Sequence, residues 1–373
     1  MSKLLLFLPL LFVFSPIQQP ATADTDQANI QVALLLDTSN SMDGLIDQAK
    51  SQLWKMVNAL ATTKKNGQIP NIEIALYEYG NDGLAQASGY LRQVTPLTTD
   101  LDMVSEELFN LTTNGGSEYC GYAINEAAES LKWSPEASDF KLIIIAGNEP
   151  YTQGPVDYKD ACRKAISKGI MINTIFCGNY EEGVNTHWKD GAECADGSYL
   201  NINQDDKVVH VPTPYDQKLI DLNQDLNKTY IGYGAEGEEK MMRQEVQDAN
   251  AATYGAANAA TRATFKAKKA YKNADWDLVD AMEEDEEVLE NLDAEALPAE
   301  MKDMTSEEQK AYVAEKATER DKIRQEILDL EKKAEEFRTQ KRAEMSDEGG
   351  QTLDKVMLEA VEKQAKEKGF DKN

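Results

Sequence analysis

Asp37, Ser39 and Ser41 stand at alternate positions directly after the aliphatic run Val32-Ala33-Leu34-Leu35-Leu36. A short continuous apolar run of this kind reads as a strand buried on both faces. Gly44, Leu45 and Ile46 then open a helical pattern. One carboxylate and two hydroxyls therefore sit in a tight turn at the carboxyl end of a central strand, where open α/β sheets place their ligand sites. Oxygen donors with no nearby His or Cys suit Mg²⁺, Ca²⁺ or Mn²⁺ rather than zinc. The competing reading is a polar turn that caps the next helix, since Asp and Ser are preferred N-caps. A metal site requires further oxygen donors from other loops.

The elements that would position such loops are legible along the first half of the chain. Apolar spacing predicts strands over 32–36, 72–79, 89–94, 142–146, 171–176 and 198–202. Helical spacing falls over 44–60, 101–111, 122–131 and 158–167. Strands separated by helices imply an α/β fold, a doubly wound and mostly parallel sheet with helices on both faces. A unit of roughly 200 residues, here 28–232, is long enough to bury one such core. From 234 the character changes to an α-helical C-terminal region reaching 373. Thr305 and Glu308 form a capping box. Ile323, Ile327, Leu330, Ala334 and Phe337 follow heptad spacing for about two heptads. Gly349-Gly350 separates a last helix. This region reads either as a hairpin or short coiled coil, with homo-oligomer formation open to it, or as helices packed back on the α/β unit. Trp54, Trp133, Trp188 and Trp276 sit at helical apolar positions and read as core.

Residues 1–23 have the form of a signal peptide. Lys3 precedes an apolar core over 4–14, and Ala21-Thr22-Ala23 is a small-residue cleavage site. The core is too short to span a bilayer, and no later segment approaches the ~20 apolar residues a transmembrane helix needs. Export to a periplasmic or extracellular space, with cleavage near Ala23, is the expectation. The net charge of −27 comes from 66 acidic and 39 basic residues. Such a surface repels phosphate backbones and argues against nucleic-acid binding. Four cysteines, Cys120, Cys162, Cys177 and Cys194, favour disulfides in an exported chain. Three pairings are open; Cys177 with Cys194 and Cys120 with Cys162 are preferred here, because Cys177 ends a strand and Cys194 lies just before the next. Asp205-Asp206 reads as a solvated loop with Ca²⁺ binding as the alternative. A catalytic thiol at Cys120 would need His187 or His210 as its base, and no spacing ties either to it.

The D-x-S-x-S spacing of Asp37, Ser39 and Ser41 resembles the metal-ion-dependent adhesion site of von Willebrand factor A (VWA) domains, in which it forms the first of three metal-binding loops. The second loop is matched by Asn114-Gly115-Gly116-Ser117, with Ser117 where the family has a threonine hydroxyl, and by Thr95-Pro96-Leu97-Thr98 with Asp100 before it. Glu118 adds a carboxylate beside it. The third loop departs from the family: where an aspartate and glycine are expected, this chain has Ala146-Gly147-Asn148-Glu149-Pro150. Gly147 takes the aspartate's place, and Asn148 or Glu149 could reach inward from another position. This turn, with the Thr152–Tyr158 stretch after it, resembles a group of exported bacterial VWA proteins with a similar helical tail. The resemblance implies a Mg²⁺, Ca²⁺ or Mn²⁺ ion held by Asp37, Ser39, Ser41 and Ser117, with Glu149 as a further ligand, and a protein partner that completes the shell with a carboxylate. It implies a non-enzymatic binding protein. The alternative is a structural scaffold acting through its helical tail, with an inert pocket.

Overall fold

The computed structural model describes residues 27–203, 211–344 and 353–372. The leader, Asp205-Asp206, His210 and Gly349-Gly350 lie outside the described residues. The elements of the α/β half are β1 (Asn29–Asp37), α1 (Asp43–Leu60), β2 (Thr63–Lys64), β3 (Asn71–Tyr79), β4 (Leu91–Thr98), α2 (Leu101–Asn110), α3 (Cys120–Ser130), β5 (Phe140–Gly147), α4 (Tyr158–Ser167), β6 (Met171–Cys177), α5 (Tyr180–Asn185), α6 (Trp188–Glu193) and β7 (Tyr199–Ile202). They are followed by α7 (Asp216–Asn227), α8 (Gly237–Thr253), α9 (Ala256–Lys266), α10 (Leu278–Glu284), α11 (Val288–Asn291), α12 (Ser306–Glu344), α13 (Leu353–Glu367) and β8 (Asp371–Lys372).

Six strands form one sheet in the order β4-β3-β1-β5-β6-β7. β4 runs antiparallel to β3, and every other neighbour is parallel. The mostly parallel, two-faced sheet expected from the sequence is therefore present. The alternation of a strand divides β1 between two cores. Val32, Leu34 and Leu36 pack with residues of α1 and α2, whereas Ala33 and Leu35 pack with residues of α3 and α4. Burial on both faces explains why the run carries no polar residue until Asp37. The four tryptophans lie in or against these cores.

The C-terminal helices pack back on the α/β half. Phe265 of α9 stacks on Trp54 of α1 at 5.6 Å between ring centroids. Arg262 of α9, fully buried, pairs with Asp102 of α2 at 2.7 Å. Ile323 and Ile327 of α12 join the same core as α1, α2 and α7. The heptad-spaced face of α12 is thus turned onto its own chain, against α7, α9 and α10. The packed-back arrangement replaces the free coiled coil because that apolar stripe finds its partner internally. α13 adds Met357, Val361 and Ala365 to this core, and Gln364 exchanges two 2.8 Å amide hydrogen bonds with Asn173 of β6.

The preferred disulfide pairings are corrected. Cys162 of α4 is bonded to Cys194, the residue after α6, and Cys120 and Cys177 are free and buried. Cys177 belongs to the α1-side core and Cys194 packs against the opposite one, so the sheet stands between them. Alkylation of denatured but unreduced protein is expected to label Cys120 and Cys177 only. The bond closes a loop with a sequence separation of 32, and reduction is expected to cost about 2–4 kcal/mol in urea melts. Labelling of Cys194 without reductant would contradict the pairing.

Candidate metal centre

Three loops meet at the carboxyl end of β1, β3 and β5. Asp37 is the last residue of β1, paired in register with Tyr79 of β3. Its Oδ1 accepts the Ser39 N–H at 2.8 Å, which closes the turn that carries both serines. The Ser39 and Ser41 hydroxyls are 3.1 Å apart; Ser39 is buried and Ser41 exposed. The Thr38 N–H donates to the Tyr79 carbonyl at 2.8 Å, and the Thr38 carbonyl accepts the Asn114 N–H at 2.9 Å. The second loop is also tied to the end of β3, since the Asp82 N–H donates to the Gly115 carbonyl at 2.7 Å. The third loop closes the ring. Asn148 Nδ2 donates to Ser41 Oγ at 3.2 Å, and the Glu149 N–H donates to Glu118 Oε2 at 3.3 Å.

The inner surface of this ring is a carboxyl pair. Asp37 is 0% exposed and Glu118 3%. Gly80, with φ +81°, lies against both: a Cβ built there would stand 2.7 Å from Asp37 Oδ1 and 2.8 Å from Glu118 Cγ. Glycine takes that backbone conformation without strain and leaves that space. Burial pushes the Asp37 carboxyl up to about 6, opposed by hydrogen bonds from Glu118 and Ser39. Burial, and then the neighbouring Asp37, push Glu118 up to about 10. Asp37 Oδ2 is buried without a hydrogen-bond partner. Such an orphan is uncommon in a native interior, and it is the acceptor a cation would satisfy.

The expected site residues divide by position. Asp37, Ser39 and Ser41 are brought together. Ser117 is half-buried on the second loop, one residue before Glu118. The Glu149 side chain is exposed; its charge raises both buried carboxyls, while its backbone holds Glu118. Among the described residues no group of three or more His, Cys, Asp or Glu side chains is placed to hold a metal. A cation here would rest on hydroxyls as much as on carboxylates, a donor set that fits Mg²⁺, Ca²⁺ or Mn²⁺. The thiol of Cys120, behind the site, is pushed well above its ordinary range by burial, which leaves it a poor nucleophile.

The space at Gly147 has an occupant. Alternation puts Tyr79, Asp37 and Gly147 in a row on one face of three neighbouring strands. Tyr79 Oη crosses that row to donate to the Ala146 carbonyl at 2.8 Å. A Cβ on Gly147 would lie 2.5 Å from Tyr79 Oη and 3.2 Å from the Trp188 ring. Trp188 in turn donates its Nε1–H to the Glu149 carbonyl at 2.8 Å and fastens the third loop. Tyr79 escaped the sequence reading because its role depends on strand register. Glu118 was visible only as a carboxylate beside Ser117.

The family model for the von Willebrand factor type A domain matches residues 31–196. Among curated proteins nothing matches. Solved structures similar to this chain include BatB from Bacteroides thetaiotaomicron, at 17% identity over 47% of this chain and 90% of that one, with a TM-score of 0.36. An aerotolerance-related membrane protein from Bacteroides fragilis is 18% identical over 47% and 93%, with a TM-score of 0.34. Proximal thread matrix protein 1 from the mussel byssus, with a zinc-occupied MIDAS motif, is 13% identical over 47% and 42%, with a TM-score of 0.36. The strand order, the three converging loops and the family match lead to one assignment: residues 31–196 of this chain are a von Willebrand factor type A domain.

Proposed function

We propose that this chain is an exported, non-enzymatic binding protein whose VWA domain holds a divalent cation and captures an acidic group of a protein partner. The unpartnered, buried Oδ2 of Asp37 carries this reading. Asp37, Ser39, Ser41 and Ser117 hold the ion, with Mg²⁺ the leading candidate and Ca²⁺ or Mn²⁺ the alternatives. VWA domains commonly bind protein partners through such an ion, and the remaining coordination position receives the partner's carboxylate. The domain extends over 28–232, and the helices of 234–373 brace its α1 and α2 side. The leader directs it to a periplasmic or extracellular space. No helix among the described residues is long and apolar enough to cross a membrane.

Calorimetry on the chain from Asp24 onward tests the reading. Mg²⁺ or Mn²⁺ is expected to bind at one site per chain, and Asp37→Ala is expected to abolish the heat. A parent protein that takes up none of the three cations would end the proposal. A second reading has its own observation. The Ser39–Ser41 and Asn148–Ser41 contacts already close the pocket by hydrogen bonds, as an inert pocket in a scaffold would. Pull-down with and without chelator separates the two, since only the first loses its partner with the metal.

A further inference from the structure

The third loop cannot supply a carboxylate from position 147, because Tyr79 and Trp188 fill the space a side chain would need. Another carboxylate is nevertheless buried in the ring. Glu118 enters from the second loop and stands beside Asp37 at Gly80, where a built Cβ would meet Asp37 Oδ1 at 2.7 Å and Glu118 Cγ at 2.8 Å. Its Oε2 is oriented by the Glu149 N–H at 3.3 Å. Its own backbone N–H is held by Gln153 Oε1. Among the described residues, neither carboxyl is in an ion pair with a lysine or arginine, in contrast to buried acids such as Asp102 and Asp277. Two acids are thus packed together with no cation from the protein to balance them.

We propose that Glu118 is the second carboxylate of this cation site, replacing the one missing at Gly147, and that it leaves the loaded site electrically neutral. The inference rests on the proposed cation site. Its consequence concerns the partner. A divalent ion held by Asp37 and neutral hydroxyls keeps a net positive charge and attracts an incoming carboxylate. The same ion held by Asp37 and Glu118 has none left. Glu118 therefore strengthens cation binding and weakens capture of an acidic group, so that the carboxylate must come from a partner with other contacts around the loops.

The competing role for Glu118 is to tie the second loop to the third through the Glu149 N–H. Glu118→Gln separates the two, because glutamine keeps an oxygen that accepts this bond but cannot give up a proton to become a carboxylate ligand of a bound cation. Mn²⁺ titration, followed by calorimetry and by water-proton relaxation, is the measurement. Glu118→Gln is expected to bind Mn²⁺ about ten- to a hundredfold more weakly than the parent. Acetate added to the Mn²⁺-saturated proteins is expected to displace bound water at a several-fold lower concentration in the variant. Glu118→Asp, which keeps the charge on a shorter arm, is expected to recover part of the Mn²⁺ affinity. A folded Glu118→Gln that binds Mn²⁺ as tightly as the parent, while Asp37→Asn does not bind, overturns the inference and leaves the cation site standing. A parent that binds no Mn²⁺ removes both.

Discussion

Arg320→Met is expected to destabilise the protein by about 3–5 kcal/mol, the range for removing one partner of a buried ion pair. Arg320 on α12 is fully buried. Its Nη1 donates to Asp277 Oδ2 at 2.6 Å and to Asp280 Oδ1 at 2.8 Å. Its Nη2 donates to the Thr229 carbonyl at 2.6 Å, and its Nε to Thr229 Oγ1 at 3.0 Å. The guanidinium also lies 4.1 Å from the centre of the Tyr230 ring. Methionine fills much of the volume but leaves Asp277, itself 0% exposed, as an uncompensated buried charge. Asp277 still accepts the Ile231 N–H at 2.7 Å and the Asp280 N–H at 2.9 Å. Those bonds keep the loss finite. The double variant Arg320→Met, Asp277→Asn is expected to recover more than about 1 kcal/mol, as contacting residues do in such cycles. Urea melts at neutral pH are the measurement, and a loss below about 1 kcal/mol for the single variant would refute the account, since surface changes fall in that range.

Gly147→Asp restores the residue the family's pattern calls for, and it is expected to harm the protein. The new Cβ would stand 2.5 Å from Tyr79 Oη and 3.2 Å from Asp37 Oδ2. Overpacking of this kind costs about 1–3 kcal/mol. A third carboxyl beside the buried pair adds a desolvation cost of similar size, so a total near or above 3 kcal/mol is expected. Tyr79→Phe removes the oxygen in the way. In that background the cost of Gly147→Asp is expected to fall by more than about 1 kcal/mol, the coupling that contacting residues show. If Gly147→Asp alone melts like the parent and binds Mg²⁺ more tightly, then Tyr79 does not exclude a side chain there, and the structural reason given for Gly147 is wrong.

These two sites mark where sequence reasoning reached and where it stopped. Asp37 and the two serines were legible because a strand buried on both faces must be apolar, and a carboxylate that interrupts such a run stands out. The strands over 32–36 and 142–146 were legible for the same reason. The tail was harder. Ile323, Ile327 and Ala334 announce an apolar stripe, but a stripe does not say what covers it. Internal packing against α7 and α9 and pairing with a second helix place the same residues at the same spacing. The cysteines show the same limit, since their pairing depends on which face of the sheet each helix covers.

What the sequence by itself determined is local in origin. Periodicity set the α/β class, and residue type set a hard-oxygen turn at the end of a central strand. It also showed that Gly147 lacks the family's carboxylate. Only the tertiary structure decided why. Strand register puts Tyr79, Asp37 and Gly147 side by side, so a large side chain on β3 takes the room that a side chain on β5 would need. The same convergence of loops brings Glu118, 81 positions after Asp37 in the chain, against it. Contacts between residues so far apart depend on the packed geometry of the whole sheet, which no short stretch of sequence carries.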